Sequence, residues 1–268
     1  LPWAAFQGLP QDAPKDILNG YKWELYDLAN DPTQAEDVAA KNPQKLAEMQ
    51  KVFMQEAAKY QVLPLDNRSL SRFLQPRPSA SGGRTRFVYT GELANTPKGG
   101  APSFLDRSYT ITAEVEVPQG GAEGMLVTDG GRFGGIGFYL LKGKPVFVYN
   151  YVNIERFRWE GKDALAPGKH TLVFDFEYDG IGFGLGGRGT LKVDGQVVDS
   201  KKIPKTMPFV FPEDETFDVG VDTRTPIDDR DYQVPFRFTG KLSKLTVEEG
   251  PIKGTLAQIL EFKWKTRD

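Results

Sequence analysis

The stretch from Tyr109 to Trp159 decides the fold. It reads YTITAEVEVPQGGAEGMLVTDGGRFGGIGFYLLKGKPVFVYNYVNIERFRW. Apolar and polar residues alternate from Tyr109 to Val117, and Gly and Pro bound the run. Alternation with a period of two, closed by turn residues, indicates half-buried antiparallel strands. Lys142, Gly143 and Lys144 separate two aromatic-rich runs, as a tight hairpin turn does.

The same pattern continues on both sides of this stretch and predicts many short strands. Asp194 and Gly195 form a strong hairpin signal between LKV and QVV. So many short antiparallel strands predict two stacked sheets, a β-sandwich of the jelly-roll kind. The predicted strands lie near residues 84–92, 108–117, 124–129, 135–142, 145–151, 153–159, 168–178, 188–194, 196–202, 216–221 and 236–248.

Composition limits the partners that this chain of 268 residues is expected to bind. Its 34 basic and 36 acidic residues nearly cancel, giving a net charge of -2, so no basic surface for nucleic acid is expected. Anionic membranes are likewise not favoured, and no apolar run approaches the roughly 20 residues of a membrane span. The absence of cysteine excludes disulfides and thiolate chemistry.

Residues 1–80 differ from the rest and predict a small strand-plus-helix α/β appendage with a linker. Residues 21–28 have strand-like composition. Thr33 and Glu36 fit a capping box, and a second helix is expected to start at Asn42 and Pro43. The apolar stripe of that helix consists of Leu46, Met49, Phe53, Ala57 and Tyr60.

A lone strand cannot satisfy its own backbone, so this appendage needs a partner that residues 1–80 do not supply. The sandwich is expected over 81–250, followed by an extension at 251–268 in which helix and edge strand remain open. The chain begins with Leu1 rather than Met and without a signal peptide. We therefore expect a mature or excised piece of a longer protein.

Common catalytic motifs are poorly represented. The glycine-rich segments 130–135 and 180–189 lack the spacing of phosphate-binding loops, and turn formation explains them better. A Ser-His-Asp triad would have to use His170, the only histidine, which follows Pro167 and Gly168 at the start of a predicted strand. This setting favours a strand edge over a catalytic cleft.

The densest acidic loop runs from Asp222 to Asp231. Its carboxylates, on Asp222, Asp228, Asp229 and Asp231, are weak candidates for a Ca²⁺ site, which requires six to eight oxygen ligands. Arg224 and Arg230 lie among them. These arginines favour a solvated, ion-paired loop over a metal site.

A polar and aromatic run between residues 149 and 159 is the candidate ligand-binding surface. Aromatic faces stack on sugar rings while amide and guanidinium groups hold the hydroxyls, so this composition suits a glycan. The alternative is that every second member simply fills the core. The candidate ligand-binding residues are Asn150, Asn153, Arg156, Arg158 and Trp159.

Several motifs together resemble the C-terminal region of bacterial arylsulfatases, over about residues 20–250. The run from Trp23 to Pro32 and the helix from Asn42 to Tyr60 resemble the end of the sulfatase C-terminal subdomain. Later motifs resemble a concanavalin- or laminin-G-like domain that some of these enzymes carry after it. Those motifs are YQVLPLD (60–66), RSYTITA (107–113), GGRFGG (130–135), FDVG (217–220) and VPFRFTG (234–240).

The resemblance implies a non-catalytic part of a sulfuric-ester hydrolase, periplasmic or secreted, that supports a catalytic domain, substrate access or assembly. Sulfatases use a formylglycine made in a C/S-x-P-x-R motif beside Ca²⁺ or Mg²⁺. The chain contains no such motif, so no catalytic residue and no cofactor is assigned to it. The expected partners are a sulfatase catalytic domain, a second copy of the chain, or a glycan. The alternative is an independent glycan-binding module.

Overall fold

A computed structural model describes residues 16–65, 80–208 and 211–253. The chain divides into two compact units, with the boundary between Arg77 and Pro78. Among the described residues, no helix combines the length and apolar character that crossing a bilayer requires.

The first unit is built around one long helix. Helix α1 spans Ile17–Gly20 and a 3₁₀ turn spans Ala39–Lys41. Helix α2 spans Pro43–Lys59, close to the bounds predicted for the second helix. The strand expected over 21–28 is absent from the described residues, and so is a helix after Thr33. The Asp31 carboxylate instead accepts hydrogen bonds from the Thr33 hydroxyl and the Glu36 amide, because acidic side chains compete with helix formation in this way.

The second unit is the antiparallel β-sandwich that the sequence predicts. Its strands are β1 Arg86–Tyr89, β2 Leu93–Thr96, β3 Tyr109–Val117, β4 Gly124–Gly131, β5 Gly134–Leu141, β6 Lys144–Tyr151, β7 Glu155–Glu160, β8 Gly168–Tyr178, β9 Leu185–Val193, β10 Gln196–Lys205, β11 Phe217–Val219 and β12 Lys241–Glu249. The first sheet has the order β1-β12-β3-β8-β9-β10, and the second has the order β2-β11-β4-β5-β6-β7. We call them sheet A and sheet B.

Aromatic side chains fill the space between the two sheets. Phe147 of sheet B stacks on Phe174 of sheet A with ring centroids 3.4 Å apart, and Trp159 meets both rings edge-on. The Trp159 indole also donates to the carbonyl of Gly189 at 3.0 Å. A Cβ on Gly189 would lie 2.5 Å from the Trp159 ring, so only glycine fits beneath the indole.

The outer face of sheet B is also covered. Residues 222–236, which we call the strap, place Ile227 and Tyr232 against a second apolar cluster on β4, β5 and β6. The strap closes on itself where Asp222 and Phe236 exchange two backbone hydrogen bonds, of 3.0 and 3.3 Å. Strands β4, β5 and β6 are therefore buried almost completely on both faces.

Candidate functional site

Two hairpin turns lie side by side at one end of sheet B. One joins β4 to β5 and presents Arg132 and Phe133; the other joins β6 to β7 through residues 152–154. Gly135 pairs with Asn150, so both turns point the same way. With strands about 4.8 Å apart, the centres of the two turns are about 10 Å apart.

Asn150 holds these two turns and the strap together. Its Nδ2 donates to the carbonyls of Gly131 and Arg132, both at 2.8 Å, and to that of Ile227 at 3.1 Å. Its Oδ1 accepts from the Asn153 amide at 3.0 Å. Because Asn150 is wholly buried and makes these four hydrogen bonds, its side chain positions the surface from beneath and does not face solvent.

Arg156 is fixed in the same network. Its Nε donates to the Ile227 carbonyl at 3.1 Å, and its Nη2 donates to Oδ1 of Asn153 at 2.7 Å. The side chain is only 13% exposed. The guanidinium is therefore held at the base of the surface, with its orientation set by the strap and by the β6–β7 turn.

The Asp229 carboxylate lies between two guanidinium groups without a hydrogen bond to either. Its Oδ1 is 3.7 Å from Nη2 of Arg156, and its Oδ2 is 3.7 Å from Nε of Arg132. Both separations exceed ordinary hydrogen-bond distances. The Arg132 and Asp229 side chains are 45% and 41% exposed, so a donor and an acceptor of opposite charge face solvent together.

Exposed apolar side chains flank these charges. Phe133, next to Arg132, is 59% exposed, and Ile154 is 78% exposed. Val152 has a φ of +44°, a conformation that β-branched residues rarely adopt. We call the set Arg132, Phe133, Asn153, Ile154, Arg156 and Asp229 the turn-end surface.

Two predicted ligand-binding residues lie elsewhere. Trp159 is wholly buried in the core and offers no ring face to a sugar, so the structure contradicts that prediction. Arg158, on the outer face of the same strand, donates to the carboxylates of Glu160 and Asp231. Alternation along β7 separates the two residues, since Trp159 points to sheet A while Arg158 points to the strap.

The acidic residues of the strap bind arginine and tyrosine side chains. The Asp228 carboxylate accepts hydrogen bonds from Nε and Nη2 of Arg230 at 2.8 and 2.6 Å. The Asp231 carboxylate accepts hydrogen bonds from the Arg158 guanidinium and the Tyr139 hydroxyl. Within the described ranges, no group of three or more acidic or histidine side chains is arranged to hold a metal ion. The loop is ion-paired as expected, but Asp222 and Asp228 are buried rather than solvated.

Asp222 is a buried carboxylate whose described side-chain hydrogen bonds come from uncharged groups. Its Oδ2 accepts from the Tyr232 hydroxyl at 2.6 Å and its Oδ1 from the Arg224 amide at 3.4 Å. Burial, reinforced by the charges of Asp218 and Glu215, raises the pKa of Asp222 to about 7 despite these hydrogen bonds. The carboxyl group therefore changes charge near neutral pH.

His170 stabilises a turn far from this surface. Its ring nitrogens lie 2.7 Å from Oδ2 of Asp194 and 2.8 Å from the Ala166 carbonyl. Partial burial alone would lower the pKa of His170, but the hydrogen bonds to Asp194 and Ala166 outweigh it and raise that pKa. The residue links the start of β8 to the β9–β10 hairpin.

Sequence reasoning missed Arg132 and Phe133 as site residues, because the glycine-rich segment around them was interpreted as a turn alone. Their position in the turn could have identified them. A turn of two residues between glycine pairs projects both side chains outward. An aromatic ring at such a position exposes apolar surface to water, which is a mark of a binding surface. Asp229 was considered only as a weak metal ligand.

No protein-family model matches this sequence, and no curated protein matches it either. Solved structures share the sandwich at low identity. The CBM40 module of Ruminococcus gnavus IT-sialidase, bound to α2,6-sialyllactose, is 10% identical with a TM-score of 0.43, and the match covers 64% of this chain and 93% of that chain. Mouse laminin α1 domains LG4-5 are 12% identical with a TM-score of 0.38, covering 64% of this chain and 40% of that chain.

The binding domain of botulinum neurotoxin serotype D is 10% identical with a TM-score of 0.35, and the match covers 62% of this chain and 38% of that chain. Likenesses this weak carry no inference about what this chain binds.

Proposed function

We propose that the β-sandwich is a glycan-binding module and that the turn-end surface is its binding site. One observation carries the proposal: the exposed Arg132 and Asp229 side chains face each other without a direct hydrogen bond, beside the exposed ring of Phe133. A carboxylate accepts hydrogen bonds from hydroxyls and a guanidinium donates to them, while an aromatic ring covers the apolar face of a sugar.

The surrounding contacts support a preformed site. Asn150 fixes both turns and the strap through four hydrogen bonds, and Arg156 is held by two more. The backbone of both turns is therefore ordered before a ligand binds, which lowers the entropic cost of association.

Titration calorimetry with a panel of oligosaccharides tests this proposal. We expect binding by the wild-type protein and loss of at least tenfold in affinity, about 1.4 kcal/mol, in Phe133→Ala. Val197 on β10 is equally exposed, at 59%, so Val197→Ala is the matched control and should bind like the wild type. Equal loss in both variants, or none in Phe133→Ala, would refute this site.

We also propose a second function, in which the first unit supports a sulfatase catalytic domain. Helix α2 has a single buried residue, Ala57. Met49 and Tyr60 of its apolar stripe are 44% and 65% exposed, and Phe53 meets the ring of Trp23 at 5.3 Å. Helices gain most of their stability from packing an apolar face, so this helix is suited to a further partner.

This second proposal is tested by co-expression with an arylsulfatase catalytic domain. We expect co-purification that Met49→Glu abolishes, while Lys45→Glu, on the exposed charged face of α2, leaves it intact. The chain alone should not hydrolyse nitrophenyl sulfate. Failure to co-purify, or turnover by the chain alone, would reject the supporting role.

A further inference from the structure

We infer that the turn-end surface recognises an uncharged glycan through two neighbouring hydroxyl groups, and that it discriminates against sulfated and carboxylated sugars. The inference rests on the proposed function and specifies its ligand class. It depends on how the charges of the surface are arranged rather than on their sum.

The acceptor and the donor are spaced to accommodate two hydroxyls. Because 3.7 Å separates Oδ2 of Asp229 from Nε of Arg132, neither group is satisfied by the other. Two adjacent hydroxyls on a sugar ring can bridge these groups, one donating a hydrogen bond to Asp229 and the other accepting one from Arg132. Hydrogen bonds to charged groups are stronger than those between neutral groups, so this pair would dominate recognition.

The same arrangement disfavours an anion. Any sulfate or carboxylate that approached Arg132 or Arg156 would also approach Asp229, which lies 3.7 Å from each guanidinium. The neighbouring Arg230 does not offset this repulsion, because two hydrogen bonds commit its guanidinium to Asp228. Like charges a few ångströms apart repel strongly where solvent is partly excluded, so an anionic ligand would gain little.

Asp229→Asn separates the two ligand classes. The amide keeps the shape of the side chain but loses its charge and part of its accepting capacity. The variant should fold normally, because no described residue donates a hydrogen bond to this exposed carboxylate. Asp163→Asn, at an exposed position beyond β7, serves as the matched control.

The experiment measures affinity for neutral gluco-, manno-, galacto- and xylo-oligosaccharides, and for dextran sulfate and oligogalacturonate as anionic probes. We expect the wild type to prefer a neutral ligand. Asp229→Asn should weaken that binding about tenfold, and Asp163→Asn should not.

Three results would overturn the inference. Wild-type preference for an anionic probe, strengthened by Asp229→Asn, would reject the ligand class but retain the glycan site. Neutral binding that Phe133→Ala abolishes and Asp229→Asn leaves intact would reject the role of Asp229 alone. Absence of binding to every probe by folded protein would reject the proposed function together with the inference.

Discussion

The two faces of sheet B are both buried, but by different means. The inner face packs aromatic rings such as Phe147 and Trp159 against sheet A. The outer face packs Tyr139 and Val148 against the strap, whose carboxylates hold arginines at its margin. The apolar face supplies stability through burial, whereas the mixed face also positions the charged groups of the turn-end surface.

The largest difference should appear when a core ring is removed. Trp159→Ala leaves a large cavity between the sheets, and we expect the free energy of unfolding to fall by about 3–5 kcal/mol. Urea denaturation measures this value. A loss below about 1 kcal/mol would mean that Trp159 does not sit in a packed core, and would undo the contrast between the faces.

On the outer face, the strongest effect should come from Asp231→Ala. The change leaves the Arg158 guanidinium and the Tyr139 hydroxyl without their shared carboxylate, and unsatisfied buried groups cost about 2–3 kcal/mol. Asp229→Ala is the control at the same strap and should stay within about 0.5 kcal/mol of wild type. Equal losses of stability in the two variants would mean that the hydrogen-bonded carboxylate of Asp231 contributes no more than the exposed carboxylate of Asp229.

Stability should also depend on pH through Asp222. Its pKa of about 7 in the folded state lies above the ordinary value near 3.8, so the folded protein holds a proton that the unfolded chain releases. Stability should therefore fall as pH rises from 4 to about 7 and then level off.

The Asp222→Asn variant tests this dependence. It cannot ionise at this position, and at pH 8 it should exceed the wild type by up to about 4 kcal/mol, with little difference at pH 4. Asp228→Asn is the opposing control: burial raises the pKa of Asp228, but hydrogen bonds from Arg230 outweigh it and hold that pKa low. That variant should lose stability at neutral pH, and identical pH profiles for the two variants would refute the assignment.

The smallest effect is expected at His170. Because the folded-state pKa of His170 is raised, its contribution is present below its ordinary pKa of about 6.5 and disappears as pH rises through the folded value. Asp194 is half exposed, so solvent limits the contribution to about 0.5 kcal/mol. His170→Gln should lose thermal stability at pH 5.5 but not at pH 8.5; a loss equal at both values would exclude the charged pair.

Much of the sandwich could be predicted because its signals are local. Alternation located β3, and Asp194 with Gly195 located the β9–β10 hairpin within a residue or two. Helix α2 was predicted from Pro43 and its apolar spacing. Each of these signals depends on a few consecutive residues, which is the range over which sequence patterns are informative.

The strap could not be predicted, because nothing local shows that a charged loop covers a sheet. Alternation along β7 places Arg158 and Trp159 on opposite faces. Because the neighbouring strands β4 to β6 are buried on both faces, the sequence pattern did not show that the strap covers the face that carries Arg158. The pairing of Arg132 with Asp229 joins residues 97 positions apart in sequence, counted from 132 to 229. Only the sheet register and the path of the strap bring them together.

The most direct test of a glycan site at the turn end of sheet B is a backbone amide NMR titration with the neutral oligosaccharide that binds best. We predict shifts concentrated at residues 131–134, 152–154 and 228–230, with little change on the outer face of sheet A. Shifts confined to sheet A or to residues 16–65, or no shifts with any sugar, would contradict it.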